Sequence, residues 1–140
     1  MDRRHLLMAT GAALAATTLA ARADEHEHHG HHGATTPLVA SATHCVETAN
    51  VCLAHCLDRL GDGDKTMAAC ARSVTGLIAM CNALVVLAAQ HSPLLPRYAA
   101  VAADACKACE DECNKHDHPP CKACADACKA CAAECAKIAA

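Results

Sequence analysis

The cysteines are the residues of this chain that can do chemistry: there are thirteen of them in 140 residues. Nearest the C-terminus they stand at Cys121, Cys124, Cys128, Cys131 and Cys135, in steps of three and four. On an α-helix, five thiols at this spacing fall within an arc of roughly 80°. Ala, Lys, Asp and Glu take the other faces. The pattern is a heptad with cysteine at both a and d, where leucine ordinarily forms the seam. Upstream, Cys45, Cys52 and Cys56 lie in an arc of roughly 40°. Cys70 and Cys81 are three turns apart on one face, and Cys106, Cys109 and Cys113 share another. The sequence therefore predicts a core made of sulfur.

Three chemistries compete for such a core. Disulfides are the default for an exported, cysteine-rich chain. Here the count is odd, and thiols at i,i+4 on a helix have Cβ atoms about 5–6 Å apart, whereas a disulfide needs about 3.5–4.5 Å. Only bridges between helices stay open. The second is a zinc site or an iron–sulfur cluster. Cys-x-x-Cys pairs occur at Cys106/Cys109, Cys121/Cys124 and Cys128/Cys131, but zinc knuckles place such pairs on turns, and the ferredoxin run of closely spaced cysteines ending in Cys-Pro does not occur. The third is Cu(I), which soft thiolates select. Two-coordinate Cu(I) needs sulfurs about 4–4.5 Å apart, which rotamer choice supplies from i,i+4 positions. Such pairs are Cys52/Cys56, Cys109/Cys113, Cys124/Cys128 and Cys131/Cys135. Charge favours the same metal: each Cu⁺ replaces one thiol proton, so the core stays neutral, whereas zinc on four thiolates leaves a −2 site in a medium that cannot hold it. On these grounds Cu(I), many ions per chain, is the preferred cargo. Zinc, iron–sulfur and disulfide readings remain as alternatives.

Helices must position these thiols. The chain has no Trp or Phe and one Tyr; alanine dominates, which favours an all-α fold. The first helix is expected from about Pro37 to Leu60, with Thr36 as N-cap and Pro37 at the first helical position. Gly61-Asp62-Gly63 ends it. The second runs from an Asp64 cap to about Gln90. Ser92 and Pro93 open the third, which extends to about Lys115. His116-Asp117-His118-Pro119-Pro120 forms the next turn, and the fourth helix runs to the end of the sequence. Short loops between helices of this length predict an antiparallel four-helix bundle with a cysteine-lined core, spanning residues 36–140.

Residues 1–23 read as an export leader: Arg3-Arg4, a mildly apolar Leu6–Ala21 stretch and an Ala21-Arg22-Ala23 cleavage site. Paired arginines resemble a twin-arginine signal, so a periplasmic location is expected. Residues 24–35 are a His-rich, low-complexity stretch expected to be disordered. Cleavage after Ala23 would expose Asp24-Glu25-His26, which can chelate Cu(II) or Ni(II). Loss of the leader moves the formal net charge from −3 to −5. No apolar run of about 20 residues is expected beyond the leader, so no membrane association is expected of the mature chain. With no basic patch and no stacking aromatics, nucleic acid is not an expected partner. No carboxylate–His–nucleophile set is present, so catalysis is not expected either.

Alternating helix directions gather Cys52, Cys56, Cys70, Cys109, Cys113, Cys121 and Cys124 at one end of the bundle. Cys45, Cys81, Cys106, Cys128 and Cys131 fall at mid-length, and Cys135 lies near the other end with Leu84, Leu95, Ala99 and Leu38. The sulfur-rich end also carries His55 and Met67, which are candidate mouth ligands. His44 is expected at the surface and Met80 in packing. His116 and His118 are expected in solvated or helix-capping roles, and Tyr98 between helices or subunits.

The cysteine-lined helices, the Cys-x-x-x-Cys pairs, the thirteen cysteines and the twin-arginine-like leader together resemble the exported bacterial copper storage proteins, over roughly Ser41–Ala140. The resemblance implies a homotetramer of four-helix bundles whose cores fill with Cu(I), and later supply of that copper to copper enzymes; it names no donor or recipient. It also implies a mouth of Met and His, a part that His55 and Met67 fit. Arg59 stands near the cysteine face where a further methionine would serve. A sponge that detoxifies copper or another soft metal would use the same sites.

Overall fold

The computed structural model describes residues 32–139; residues 1–31, which include the leader and residues 24–31 of the His-rich stretch, lie outside it, while residues 32–35, expected to be disordered, are helical. Four helices form the fold: α1 (His32–Gly61), α2 (Ala68–Ala89), α3 (Leu95–Cys113) and α4 (Pro119–Ala139). Each packs on two neighbours, α1 on α2 and α4, and α3 on α2 and α4, while the backbones of the diagonal pairs stay apart and meet only through side chains in the core. This is the expected antiparallel bundle.

The helix ends follow from local chemistry. Beyond α1, Asp64 N–H donates to Arg59 O and Gly63 N–H to Leu60 O, and Gly63 adopts φ 92°. This is a Schellman ending with glycine in the left-handed position that favours it. The same pair of bonds closes α2, from Ser92 to Leu87 and from His91 to Ala88, but here His91 takes the left-handed position at φ 50°.

Three boundaries differ from expectation. Helix α1 begins at His32, so Pro37 lies inside it rather than at its first position. Proline lacks the N–H that would reach the carbonyl of residue 33, which costs the helix one bond there. Asp64 does act as a cap: its carboxylate accepts from Thr66 N–H, but the turn it starts is a 3-10 turn over Lys65–Met67, with α2 proper opening at Ala68. Ser92 Oγ accepts from Leu94 N–H at 3.3 Å, and α3 opens two residues later than expected, with Pro96 in its first turn. Proline is tolerated there because first-turn N–H groups have no intrahelical acceptor.

The core has two chemically distinct parts. Leu38, Leu84, Ala88, Leu95 and Ala99 are buried at the end where α1 and α3 begin and α2 ends. Toward the α1–α2 and α3–α4 loops the buried residues are chiefly cysteine. Among the described residues no buried side chain is polar or charged. Tyr98 bridges α3 to α2, its hydroxyl donating to Met80 O at 3.2 Å. Against expectation, one segment past the leader, Lys65–Ala89, is long and apolar enough by length and composition to cross a membrane. Cysteine, alanine, leucine and valine give it that character, and in the fold it packs on α1 and α3.

Candidate metal centre

All thirteen cysteines are free and fully buried. The helices bring them together as a column of overlapping sets rather than as separate sites. At the loop end, Cys52 and Cys56 of α1 meet Cys70 of α2 and Cys121 of α4, with sulfurs all within 4.8 Å of one another. Cys52 also belongs to a triad with Cys113 and Cys124, and Cys124 to a further triad with Cys109 and Cys128. At mid-length, Cys45, Cys81, Cys106 and Cys131 form a layer with one thiol from each helix. Closest approaches are 3.7 Å for Cys70–Cys113, 3.8 Å for Cys52–Cys121 and 3.9 Å for Cys52–Cys70, Cys109–Cys113 and Cys45–Cys128. These separations are slightly shorter than a linear S–Cu–S bridge of about 4–4.5 Å requires, so a small rotamer change admits the ion. Cys135 lies beyond the mid-length layer, next to Cys131.

The spacing argument is sharpened by how these sets divide. All three Cys-x-x-Cys pairs are split: Cys106, Cys121 and Cys128 each fall in a different set from Cys109, Cys124 and Cys131. Those tripeptide spacings are not metal-binding units here. The i,i+4 pairs stay together, Cys52/Cys56 and Cys124/Cys128 each within one set and Cys109/Cys113 in direct contact.

Burial and mutual contact favour the protonated form at most of the column's thiols. Burial is the main cause that raises Cys56, and it raises Cys70 and Cys121 to about 12. Cys52 goes the other way, pulled down by thiol hydrogen bonds with Cys113 and Cys124, and contacts with neighbouring thiols likewise lower Cys45, Cys109 and Cys131. A thiolate is thus stabilised where neutral thiols donate to it, whereas one beside another thiolate must wait for a cation to offset it.

At the loop end, Met67 is fully buried, packed in the core. His55 is half-buried, and its ring lies 4.7 Å from that of His118, tilted by 53°. His55 Nε2 is buried without a hydrogen-bond partner. His116 and His118, expected to be solvated, are both half-buried. His116 Nε2 is 3.9 Å from Glu112 Oε1. The loop folds back over the end of the bundle, which sequence spacing could not show. Cys121 and Lys122 N–H donate to His118 O, so the capping role falls to its backbone rather than its imidazole. Arg59 is held by Asp64 and Asp62 at 3.5 and 3.7 Å, away from the thiols. His44 is exposed beside Glu47, as expected. The mid-length layer of Cys45, Cys81, Cys106 and Cys131 is the one expected from helix direction, whereas Cys128, expected at the same height, groups with Cys109 and Cys124.

A sequence model described as copper storage protein matches residues 31–140 of the chain. Among curated proteins, the uncharacterized cysteine-rich protein YhjQ of Bacillus subtilis is 37% identical over 80 residues, 57% of this chain and 72% of that protein. Among solved structures, the Cu(I)-bound copper storage protein BsCsp3 superposes with a TM-score of 0.72 at 32% identity, over 76% of this chain and 99% of that one. The apo form of copper storage protein 3 from Bacillus subtilis gives a TM-score of 0.68 at 33% identity with the same coverage.

Proposed function

The chain belongs to the copper storage protein family, and from that premise we propose that it stores many Cu(I) ions on the thirteen thiols of its core and gives them up to copper enzymes. The observation that carries this is the continuous column of free, fully buried thiols inside an uncharged core. Each incoming Cu⁺ displaces a proton from sulfur, so loading leaves the charge of the core unchanged. His55 and Met67 stand at the loop end of that column and serve as weak, exchangeable ligands where copper enters and leaves. Storage is favoured over catalysis because the groups that could hold a metal among the described residues consist of cysteine alone, whereas a copper oxidase holds its metal on several histidines.

Export suits the same chemistry. Thirteen thiols threaded unfolded into an oxidising compartment risk wrong disulfides. A twin-arginine route, read from Arg3-Arg4, lets the bundle fold in the reducing cytoplasm and work in the periplasm. The half-exposed apolar side chains Val51, Leu57, Val86, Leu94 and Val101 support assembly into a homotetramer.

The test is anaerobic titration of the reduced protein with Cu(I) against a competing chelator of known affinity. Saturation on the order of one copper per cysteine is expected from the neutral-core argument. Saturation at a few ions per chain, with most thiols still titratable, would overturn the storage reading.

A further inference from the structure

The sulfur column is continuous but not equally connected, and we infer that Cys128 is the residue through which copper passes between its outer and inner parts. The inference rests on the storage reading and concerns how the ions move.

The outer part contains eight thiols and the inner part five: Cys45, Cys81, Cys106, Cys131 and Cys135. Within the outer part every step has an alternative. Cys124 links the two triads, but the 3.9 Å contact between Cys109 and Cys113 joins the same regions without it. The loop-end set reaches Cys113 both through Cys52 and through the 3.7 Å contact from Cys70. The passage to the inner part has no such redundancy. Among the described residues, the sulfur contact that crosses it is Cys45–Cys128 at 3.9 Å. Cys128 is in turn within 4.8 Å of Cys109 and Cys124, and Cys45 of the rest of the inner layer. The far end offers no ready second way in, because Leu38, Leu84 and Leu95 are buried there.

Transfer across this contact is ligand exchange. Cys45 forms a bond from sulfur to Cu(I) held by Cys128 and an outer partner. The bond to that partner breaks, and the proton leaving Cys45 is taken up by the departing thiolate. A second exchange moves the ion off Cys128 onto a second inner thiol. Copper remains Cu(I), and proton and metal trade places, so no net charge is created in the core.

Cys124 and Cys128 lie one turn apart on α4, are both fully buried and share a triad. They differ in that removal of Cys128 alone severs the column. Cys124→Ser and Cys128→Ser are loaded to saturation by long anaerobic incubation, then mixed with excess of a high-affinity Cu(I) chelator whose complex is coloured. Each variant should hold about one copper fewer than the parent. Cys124→Ser should release with the parental time course. In Cys128→Ser a slow phase of about five ions should appear, at least about tenfold slower than in the parent. Circular dichroism verifies the fold, and the Cys124→Ala and Cys128→Ala pair repeats the comparison where serine disturbs it. Parental kinetics in the Cys128 variants would overturn the inference, as would equal slowing in the Cys124 variants. A parent chain that binds only a few ions would instead overturn the storage reading, whatever the rates.

Discussion

Replacing Leu84 with alanine tests whether the copper-free fold rests on the apolar end or on sulfur. Leu38, Leu77 and Leu84 are the largest fully buried aliphatic side chains apart from Met67; most of the remaining core is alanine and cysteine. Deleting a buried leucine side chain costs about 2–5 kcal/mol, from lost transfer free energy and the cavity left behind. At the bundle's end the helices can partly close the gap, so about 3 kcal/mol is expected. A domain of this size loses roughly 4–8 °C of melting temperature per kcal/mol, so the apo-protein should melt about 12–24 °C lower. Cys81→Ala, one layer away, removes a single sulfur and should cost about 1 kcal/mol. Copper should mask both changes, because a ligand at a thousand times its dissociation constant adds about 4 kcal/mol per site. Thermal unfolding by circular dichroism, on reduced apo and fully loaded forms of the parent and both variants, measures all of this. An apo Cys81→Ala variant that melts as low as Leu84→Ala would refute the reasoning, since sulfur contacts would then hold the fold. An apo parent that is unfolded and becomes helical only with copper would refute it more thoroughly.

Three further outcomes follow. His55→Leu with Met67→Leu should slow copper removal by a chelator while total capacity stays near parental; a large loss of capacity would place these residues among the storage ligands. Stability of the apo-protein should hold up to about pH 9 and fall as pH rises toward 12. The thiols of Cys70 and Cys121 are raised from 9.0 to about 12 by burial, so above the lower value the unfolded chain has lost protons that the folded one keeps. The loaded protein, with its sulfurs on copper, should lack that decline in melts run against pH. Tyr98→Phe removes the bond to Met80 O and should cost about 1 kcal/mol in denaturant unfolding, with copper capacity unchanged.

Much of the site was legible because helical periodicity is strict. Steps of three and four place a thiol on one face whatever the neighbouring helices do, so burial of all thirteen cysteines followed from spacing alone. Antiparallel connection then fixed which thiols share a height, and Cys52, Cys70 and Cys121 do meet at the loop end. What spacing did not reveal was set by loops and by partition between layers. His118 stacks on His55 because the α3–α4 turn folds back over the bundle, a path that no periodicity encodes. The Cys-x-x-Cys pairs are each divided between sets, because three residues fall about 60° short of a full helical turn, whereas four overshoot it by only about 40°. The start of α1 was misplaced because proline at a first turn is the commoner use, whereas here it lies within the helix.

The division of the core explains how one bundle can be both a fold and a container. If copper were needed to complete the core, each ion lost would cost stability and release would unfold the protein. If the thiols were ionised before metal arrived, the empty core would hold a charge that burial forbids. Neither condition applies. Apart from its thiols the apo core has no buried polar or charged side chain among the described residues, burial holds thiols such as Cys70 and Cys121 protonated, and leucines at one end stabilise the helices independently of sulfur. Copper then exchanges with protons on a frame that exists without it. The amount stored is free to vary with supply, because the architecture has the same charge and the same packing partners at every loading.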